Sequence, residues 1–266
     1  MHDVGGDIYG YTSLAGELSG RVDLFGIKLA HEQFLAPQEI SIIDLASEYV
    51  AQLERMFDES QPFVIVGWSL GGLVAFEMAK LFDRRPHSVA RLVLVDAPYE
   101  LDLPAPDNAA HGVFLPEHER ALLDQFRWLG DGAPLFSDGA SVEDMWRAVR
   151  ARLDAPTKER LAAELQQRYP LMARVIPHLS SLSPLEFVGY INRFRSVFQA
   201  GYSYRVSEAT AAPIDFLAAS RSQNFDPRWS TRTSGNFRHR CLEGDHFSIL
   251  ERRSIRATAQ VILAHQ

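Results

Sequence analysis

Four stretches of the chain are apolar at nearly every position and end on turn-forming residues: Val22–Ile27, Phe63–Gly67, Leu92–Asp96 and Ile214–Ala218. Short runs that are apolar on both alternating faces predict strands buried on both sides, as in a parallel sheet. Between the first two, Ile42, Ile43, Ala46, Tyr49, Val50, Leu53, Met56 and Phe57 recur at helical spacing over Ser41–Phe57, with Ser41 and Asp44 placed as a capping pair. Gly72–Phe82 is apolar around most of its circumference, which predicts a helix packed centrally under the sheet. Strands alternating with helices define the α/β class, here a mostly parallel sheet with helices on both faces. From about Pro104 to Tyr204 the strand signal gives way to helical periods over Glu117–Leu129, Ser141–Leu153, Thr157–Tyr169 and Pro184–Phe198. Prolines at 104, 106, 116, 134, 156, 170, 177 and 184 divide this stretch into short pieces. The pattern predicts a core of residues 1–103 and 205–266 carrying a helical insertion, 104–204, built like a lid over an active site. Ser254–His265 reads as a closing helix.

Composition narrows the function classes. With 266 residues, 46% of them hydrophobic, the chain can fill one α/β core plus an appendage. A formal charge of −7 gives no basic excess of the kind that nucleic acid or an anionic membrane surface requires, so neither is expected as a partner. The single cysteine, Cys241, can form neither an internal disulfide nor a zinc cluster. No apolar run approaches the ~18 residues of a membrane span, and Met1–Gly6 lacks the charged and apolar regions of a signal peptide. These features together predict a soluble, cytoplasmic protein.

Gly67-Trp68-Ser69-Leu70-Gly71 lies between the apolar run Phe63–Val66 and the apolar helix, the strand–turn–helix setting of a nucleophile elbow. The turn lifts a serine hydroxyl above the sheet, and glycines two before and two after it allow the close backbone approach a side chain would block. A serine hydroxyl is a poor nucleophile at neutral pH and needs a base that is itself oriented by a carboxylate. Asp96 ends the run Leu92–Val95 and so is expected at the same sheet edge as Ser69. His246, in Glu243-Gly244-Asp245-His246-Phe247, follows the last predicted strand and completes the order serine, acid, histidine. His2, His111, His118, His178 and His239 follow no late strand, and Glu243 and Asp245 read as structural acids. The expected architecture is thus the α/β-hydrolase fold with Ser69, Asp96 and His246 as catalytic residues.

Four segments carry a family resemblance: His-Asp-Val-Gly-Gly (2–6), Val-Gly-Trp-Ser-Leu-Gly-Gly-Leu-Val-Ala-Phe-Glu-Met-Ala (66–79), Leu-Val-Leu-Val-Asp-Ala-Pro (92–98) and Gly-Asp-His-Phe (244–247). Together they resemble the thioesterases that release acyl or peptidyl chains from non-ribosomal peptide and polyketide assembly lines. The resemblance spans nearly the whole chain and is weakest in the insertion. It implies the triad Ser69, Asp96 and His246, and an oxyanion hole formed by the backbone amides of Val4 and Leu70, each worth roughly 3–4 kcal/mol to the transition state. It also implies no cofactor of the chain's own and no metal. The substrate would be an acyl or peptidyl thioester held on the phosphopantetheine of a carrier protein, and release would follow by hydrolysis or macrocyclisation. The family usually has an apolar strand directly before the His-x-x-Gly-Gly segment, whereas only Met1 precedes His2 here. A truncated start would leave the Val4 amide less firmly placed.

Charge adds an expectation about the carrier. Residues 141–205 hold ten Lys or Arg and six Asp or Glu, a local +4 on an acidic chain, with Arg147, Arg150 and Arg193 among the cations. Such a basic insertion would steer an acidic carrier protein towards the site, although the same residues can be solvated helix faces paired locally with Asp and Glu. Three other functions share the fold: a stand-alone editing (type II) thioesterase, a general carboxylesterase and a non-catalytic binding module. An esterase or lipase is expected to carry His-Gly-Gly-Gly rather than His-Asp-Val-Gly-Gly, and a binding module to lack part of the triad.

Overall fold

The structure, a computed structural model, describes residues 1–58, 62–101, 114–130, 133–176 and 178–264, apart from the side chains at 252 and 253. Pro104, Pro106, His111, Pro177 and His265 lie outside the described residues. In chain order the elements are α1 (Thr12–Leu18), α2 (Ile42–Met56), β1 (Phe63–Trp68), α3 (Gly71–Phe82), β2 (Val89–Val95), α4 (Pro116–Leu123), α5 (Val142–Arg150), α6 (Ala155–Arg168), α7 (Pro170–Val175), α8 (Pro184–Ser203), β3 (Ile214–Ala219), β4 (Phe237–Leu242) and α9 (Arg252–Leu263).

The chain divides into two compact units. The first, Met1–Lys28, Ser41–Asp102 and Tyr204–Gln266, contains a four-stranded sheet in the order β1-β2-β3-β4, with every pair parallel. Alternation along the strands distributes side chains to two faces. Val93, Val95, Leu217, Ala219 and Trp68 pack in one cluster with Leu14 and Leu18 of α1 and Ile255, Ala259 and Ile262 of α9. On the other face Leu94 meets α3 at Gly72, and Phe216 meets Trp229, whose ring also lies against Phe76 of α3. Helices therefore cover both faces, as a sheet apolar on both sides requires. The predicted cap is present at α2, where the Ser41 side chain accepts from the Asp44 amide at 3.0 Å.

Two expectations about strands need correction. Val22–Ile27 is not a strand: Leu24 and Phe25 are 48% and 57% exposed, and the Ile27 carbonyl accepts from the His2 N–H at 3.1 Å rather than from a neighbouring strand. Asp23 and Gly26 interrupt its apolar run, and Phe25 packs on Phe57 instead of in a ladder. Conversely, β4 was not expected, because its Arg238 and Arg240 break the continuous apolar pattern of a buried strand. It is an edge strand, mostly exposed, in parallel register from Ile214↔Phe237 to Ala219↔Leu242.

The second unit, Leu29–Ile40 and Leu103–Ser203, contains α4 to α8. Residues 29–40 join these helices because Arg193 of α8 donates to the Leu29 carbonyl at 2.6 Å and the Gln38 amide donates to Ser196 Oγ at 2.8 Å. The expected helix over Glu117–Leu129 is α4 followed by a 3-10 stretch, Asp124–Gly130, kinked at Phe126. In the interior of this unit Glu119, fully buried, receives two bonds from the Arg195 guanidinium (2.5 and 2.8 Å) and one from Trp146 Nε1 (2.9 Å). Burial opposes the charge on Arg195, and the Glu119 carboxylate more than compensates, holding the guanidinium protonated.

Candidate active site

Ser69 follows β1 directly and adopts φ +58°, in the left-handed region. An L-residue pays about 1–2 kcal/mol for that conformation, so the surrounding backbone must impose it. Three glycines let that backbone close in. A Cβ on Gly67 would lie 2.4 Å from the Gly71 carbonyl oxygen, one on Gly72 would lie 2.3 Å from Ala97 Cβ, and one on Gly71 would lie 2.2 Å from the His2 carbonyl oxygen. The last contact brings the His2–Gly6 segment against the elbow.

Register places the acid beside the serine. Trp68 pairs with Val95, the Ser69 amide donates to the Val95 carbonyl at 3.0 Å, and the Asp96 amide donates to the Leu217 carbonyl at 2.8 Å. Asp96 is also left-handed, at φ +46°, and fully buried. Its Oδ1 accepts from the Ala219 amide at 2.9 Å, and its Oδ2 lies 2.7 Å from His246 Nδ1. Burial alone would raise the carboxyl's pKa. Hydrogen bonds from His246, the Ala219 amide and Ser222 outweigh it and hold Asp96 below its ordinary value. An ionised carboxylate only accepts, so Nδ1 carries the ring proton. The lone pair of Nε2 then faces Ser69 Oγ, 2.9 Å away.

His246 sits on a tight turn after β4 that begins at Gly244, φ +136°. Asp245 caps this turn by accepting from the amides of Phe247 and Ser248, both at 3.0 Å. Trp68 holds the histidine from the other side: its Nε1 donates to the His246 carbonyl at 2.8 Å, and the two rings lie 5.4 Å apart. The Trp68 amide in turn donates to Tyr11 Oη at 2.7 Å. Burial pushes the Tyr11 phenol up, keeping it protonated.

The structure brings Ser69, Asp96 and His246 together. Val4 and Leu70 are both buried, and among the described residues neither amide donates to a protein acceptor, as the first amides of a helix and of a turn are free to do. The His2–Gly6 segment is firmly held: His2 Nε2 meets Tyr49 Oη at 2.9 Å, the Gly5 amide donates to Asp3 Oδ1 at 2.7 Å, and the Gly6 amide donates to the Asp3 carbonyl at 3.0 Å. His239 is stacked on Phe225 at 3.8 Å and Asp226 is paired with Arg228 at 2.7 Å. Among the described residues no group of three or more His, Cys, Asp or Glu side chains is placed to hold a metal ion.

Sequence reasoning missed Asn224. Its side-chain amide nitrogen lies 3.1 Å from both the backbone carbonyl and Oδ2 of Asp96 and 3.0 Å from His246 Nδ1. A lone polar residue in a loop carries no spacing signal that would have singled it out.

The sequence profile of the thioesterase domain matches residues 1–264. The chain belongs to the thioesterase domain family. As a thioesterase domain it is similar over 104 residues, at 29% identity, to the non-reducing polyketide synthase PKS16 of Cladonia grayi, a match that covers 39% of this chain and 5% of that one. It is 31% identical over 116 residues to the thioesterase PytI of Aspergillus terreus, covering 43% of this chain and 37% of that protein. The matched region thus spans little more than a third of these relatives' lengths at most. In fold, this thioesterase domain is similar to the type II thioesterase BorB from the borrelidin biosynthetic cluster, with TM-score 0.60 and 21% identity over 99% of this chain and 87% of that one. The parallel sheet flanked by helices is accordingly the α/β-hydrolase fold. No helix of the described residues is long and apolar enough to cross a membrane.

The basic character of the insertion is weaker than its composition implies. Arg193 and Arg195 are buried, while Arg147 pairs with Glu143 (2.8 Å) and Asp144 (2.7 Å) and Arg160 with Glu164 (3.0 Å). A count along the sequence treats every cation as exposed and unpaired, and these are not.

Proposed function

We propose that the chain is a serine thioesterase that takes an acyl or peptidyl group from a carrier-bound phosphopantetheine thioester onto Ser69 and then releases it. The observation that carries the reading is the line of contacts from Ser69 Oγ through His246 to Asp96, 2.9 and 2.7 Å. Nε2 removes the Ser69 proton as Oγ bonds to the thioester carbonyl carbon, and Asp96 stabilises the imidazolium that forms. The amides of Val4 and Leu70 receive the oxyanion. Collapse breaks the carbon–sulfur bond, and His246 returns its proton to the departing thiolate, leaving an ester on Ser69. A water molecule, or a hydroxyl or amine of the acyl chain itself, then gives its proton to Nε2 and attacks the ester carbonyl carbon, and as the bond to Ser69 breaks His246 returns that proton to Oγ, yielding a linear acid or a ring. In the same proposal the helical insertion, residues 104–204, serves as a lid, and an acidic carrier protein is the partner.

The test is acyl release from a carrier-bound thioester by the wild type and Ser69→Ala, with products identified by mass spectrometry. Turnover should fall by about 10⁴-fold or more in the variant, with unchanged circular dichroism and no acyl mass on the protein. Release by Ser69→Ala at the wild-type rate would end the nucleophile assignment. A preference for simple p-nitrophenyl esters over carrier-bound thioesters would favour a carboxylesterase instead.

A further inference from the structure

The loop between β3 and β4 is folded back over the end of β2. The Arg221 amide donates to the Gly244 carbonyl at 2.9 Å, the Ser222 amide to the Ala219 carbonyl at 3.0 Å, and the Asn224 amide to Ser222 Oγ at 3.2 Å. This frame delivers the Asn224 side chain into the space between Asp96 and His246. We propose that Asn224 is a positioning residue of the reaction, holding the Asp96 carboxylate against its own main chain so that it stays aimed at Nδ1 and the strength of the base is set by both residues. The inference rests on the triad reading above.

Hydrogen counting decides what the amide does. Its nitrogen has two protons and three neighbours: the Asp96 carbonyl and Oδ2, both at 3.1 Å, and His246 Nδ1 at 3.0 Å. With Nδ1 protonated and donating to Oδ2 at 2.7 Å, the ring nitrogen has no lone pair to offer. Both amide protons then go to Asp96, one to its main chain and one to its carboxylate. A single group thus bridges the carbonyl and the side chain of one residue, which fixes the carboxylate relative to a backbone held at φ +46°.

The same placement affects the base. Oδ2 accepts from both His246 and Asn224, so part of its charge is spent on the amide rather than on the imidazolium. The positive end of the amide dipole also faces Nδ1, where charge develops when His246 takes the serine proton. Both effects bear on the imidazolium that forms when His246 takes the serine proton, and both are lost when the amide is removed. Other groups around His246 leave room for this. Asp245 on its own turn is engaged by the amides of Phe247 and Ser248 and lies 3.7 Å from Arg221, and β1 presents Trp68, which does not titrate. Asp96, from the end of β2, is the charged partner of the ring.

The experiment measures kcat and KM against pH for wild type, Asn224→Leu and Asn224→Asp on a short acyl thioester, with labelling by a fluorophosphonate as the control for the triad reading. Asn224→Leu should lower kcat about tenfold with KM little changed and move the acid limb of kcat/KM to higher pH by about half a unit. Asn224→Asp, nearly the same shape, places a carboxylate at Nδ1 and should move the limb by more than about one unit. If Asn224→Leu fails to fold, the aspartate variant alone carries the test. A fall in kcat with the acid limb unmoved would mark Asn224 as structural only and overturn the proposal, as would profiles superimposable on the wild type. Failure of the wild type itself to label with fluorophosphonate would overturn the triad reading, a result distinct from either of these.

Discussion

Gly71→Ala tests whether the His2–Gly6 segment does chemical work. In a helix, replacing glycine by alanine ordinarily stabilises by roughly 0.5–1 kcal/mol, and Gly71 is the first residue of α3. Here the new Cβ would lie 2.2 Å from the His2 carbonyl oxygen and 3.1 Å from that of Met1. Relieving the first contact requires a displacement of about 1 Å, since carbon and oxygen in ordinary contact sit more than about 3 Å apart. His2 is bonded through its backbone amide to Ile27 and through its ring to Tyr49, so it cannot yield alone. The shift passes into the turn at Asp3–Gly6, which holds the Val4 amide. A misplacement of about 1 Å costs about 100-fold in rate, and complete loss of an oxyanion donor about 100–1,000-fold. The expected outcome is a kcat lower by about two orders of magnitude, with Ser69 and His246 still paired and a thermal midpoint unchanged or slightly lower. Thiol release from an acyl thioester gives the rate, and the affinity of a boronate mimic of the tetrahedral intermediate should fall in parallel. A folded variant with kcat within about threefold of the wild type would show that this segment takes no part in oxyanion binding.

Asp96→Asn meets two donors, the Ala219 amide at Oδ1 and the Nδ1 proton at Oδ2, with only one acceptor oxygen to offer them. One orientation of the new amide opposes the Ala219 N–H. The other forces the proton of His246 onto Nε2, and kcat is expected to fall by up to about 10⁴-fold, checked on the same thioester. Because the folded carboxyl lies below its ordinary value, its stabilisation is fully present above the unfolded pKa and is lost as pH falls through the folded one. The stability gap between wild type and Asp96→Asn, read by denaturant melts, should therefore hold from neutrality to about pH 4 and narrow below it. Glu119→Gln leaves Arg195 charged and buried without its counter-ion and should cost about 3–5 kcal/mol, seen as a lowered thermal midpoint of the helical unit.

What the sequence discloses is whatever depends on local period and chemistry. Phe63–Val66 and Leu92–Val95 are legible as strands because each is an unbroken apolar run, the second buried at every position, and Ser69 because glycines flank it at fixed spacing. Val22–Ile27 misleads because apolar content resembles strand content, while ladder membership depends on partners remote in the chain. β4 escapes notice for the converse reason, since its outward Arg238 and Arg240 belong to an edge. Arg193 looks like a surface cation along the sequence and is in fact 1% exposed, its charge end bonded to the carbonyl of Leu29, a contact 164 residues away. Asn224 is illegible for the same reason, lying 128 residues from the aspartate it touches.

The site draws on the C-terminal end of every strand. β1 delivers Ser69, β2 delivers Asp96, β3 supplies the Ala219 amide and leads into Asn224, and β4 leads to His246. Each ladder runs one residue past the strand before the functional group appears, through Ser69 to Val95 and Asp96 to Leu217. At that point Ser69 and Asp96 turn left-handed, which takes both side chains out of the alternation that runs along the strands. A slip of one residue in either ladder would exchange the faces of the whole strand and carry both groups away from His246. The dense apolar packing of Val93, Val95, Leu94 and Phe216, far more than the triad needs for itself, is what makes that slip costly. Burial on both faces thus fixes the register, and the register fixes distances of 2.7 and 2.9 Å that the three side chains could not hold alone.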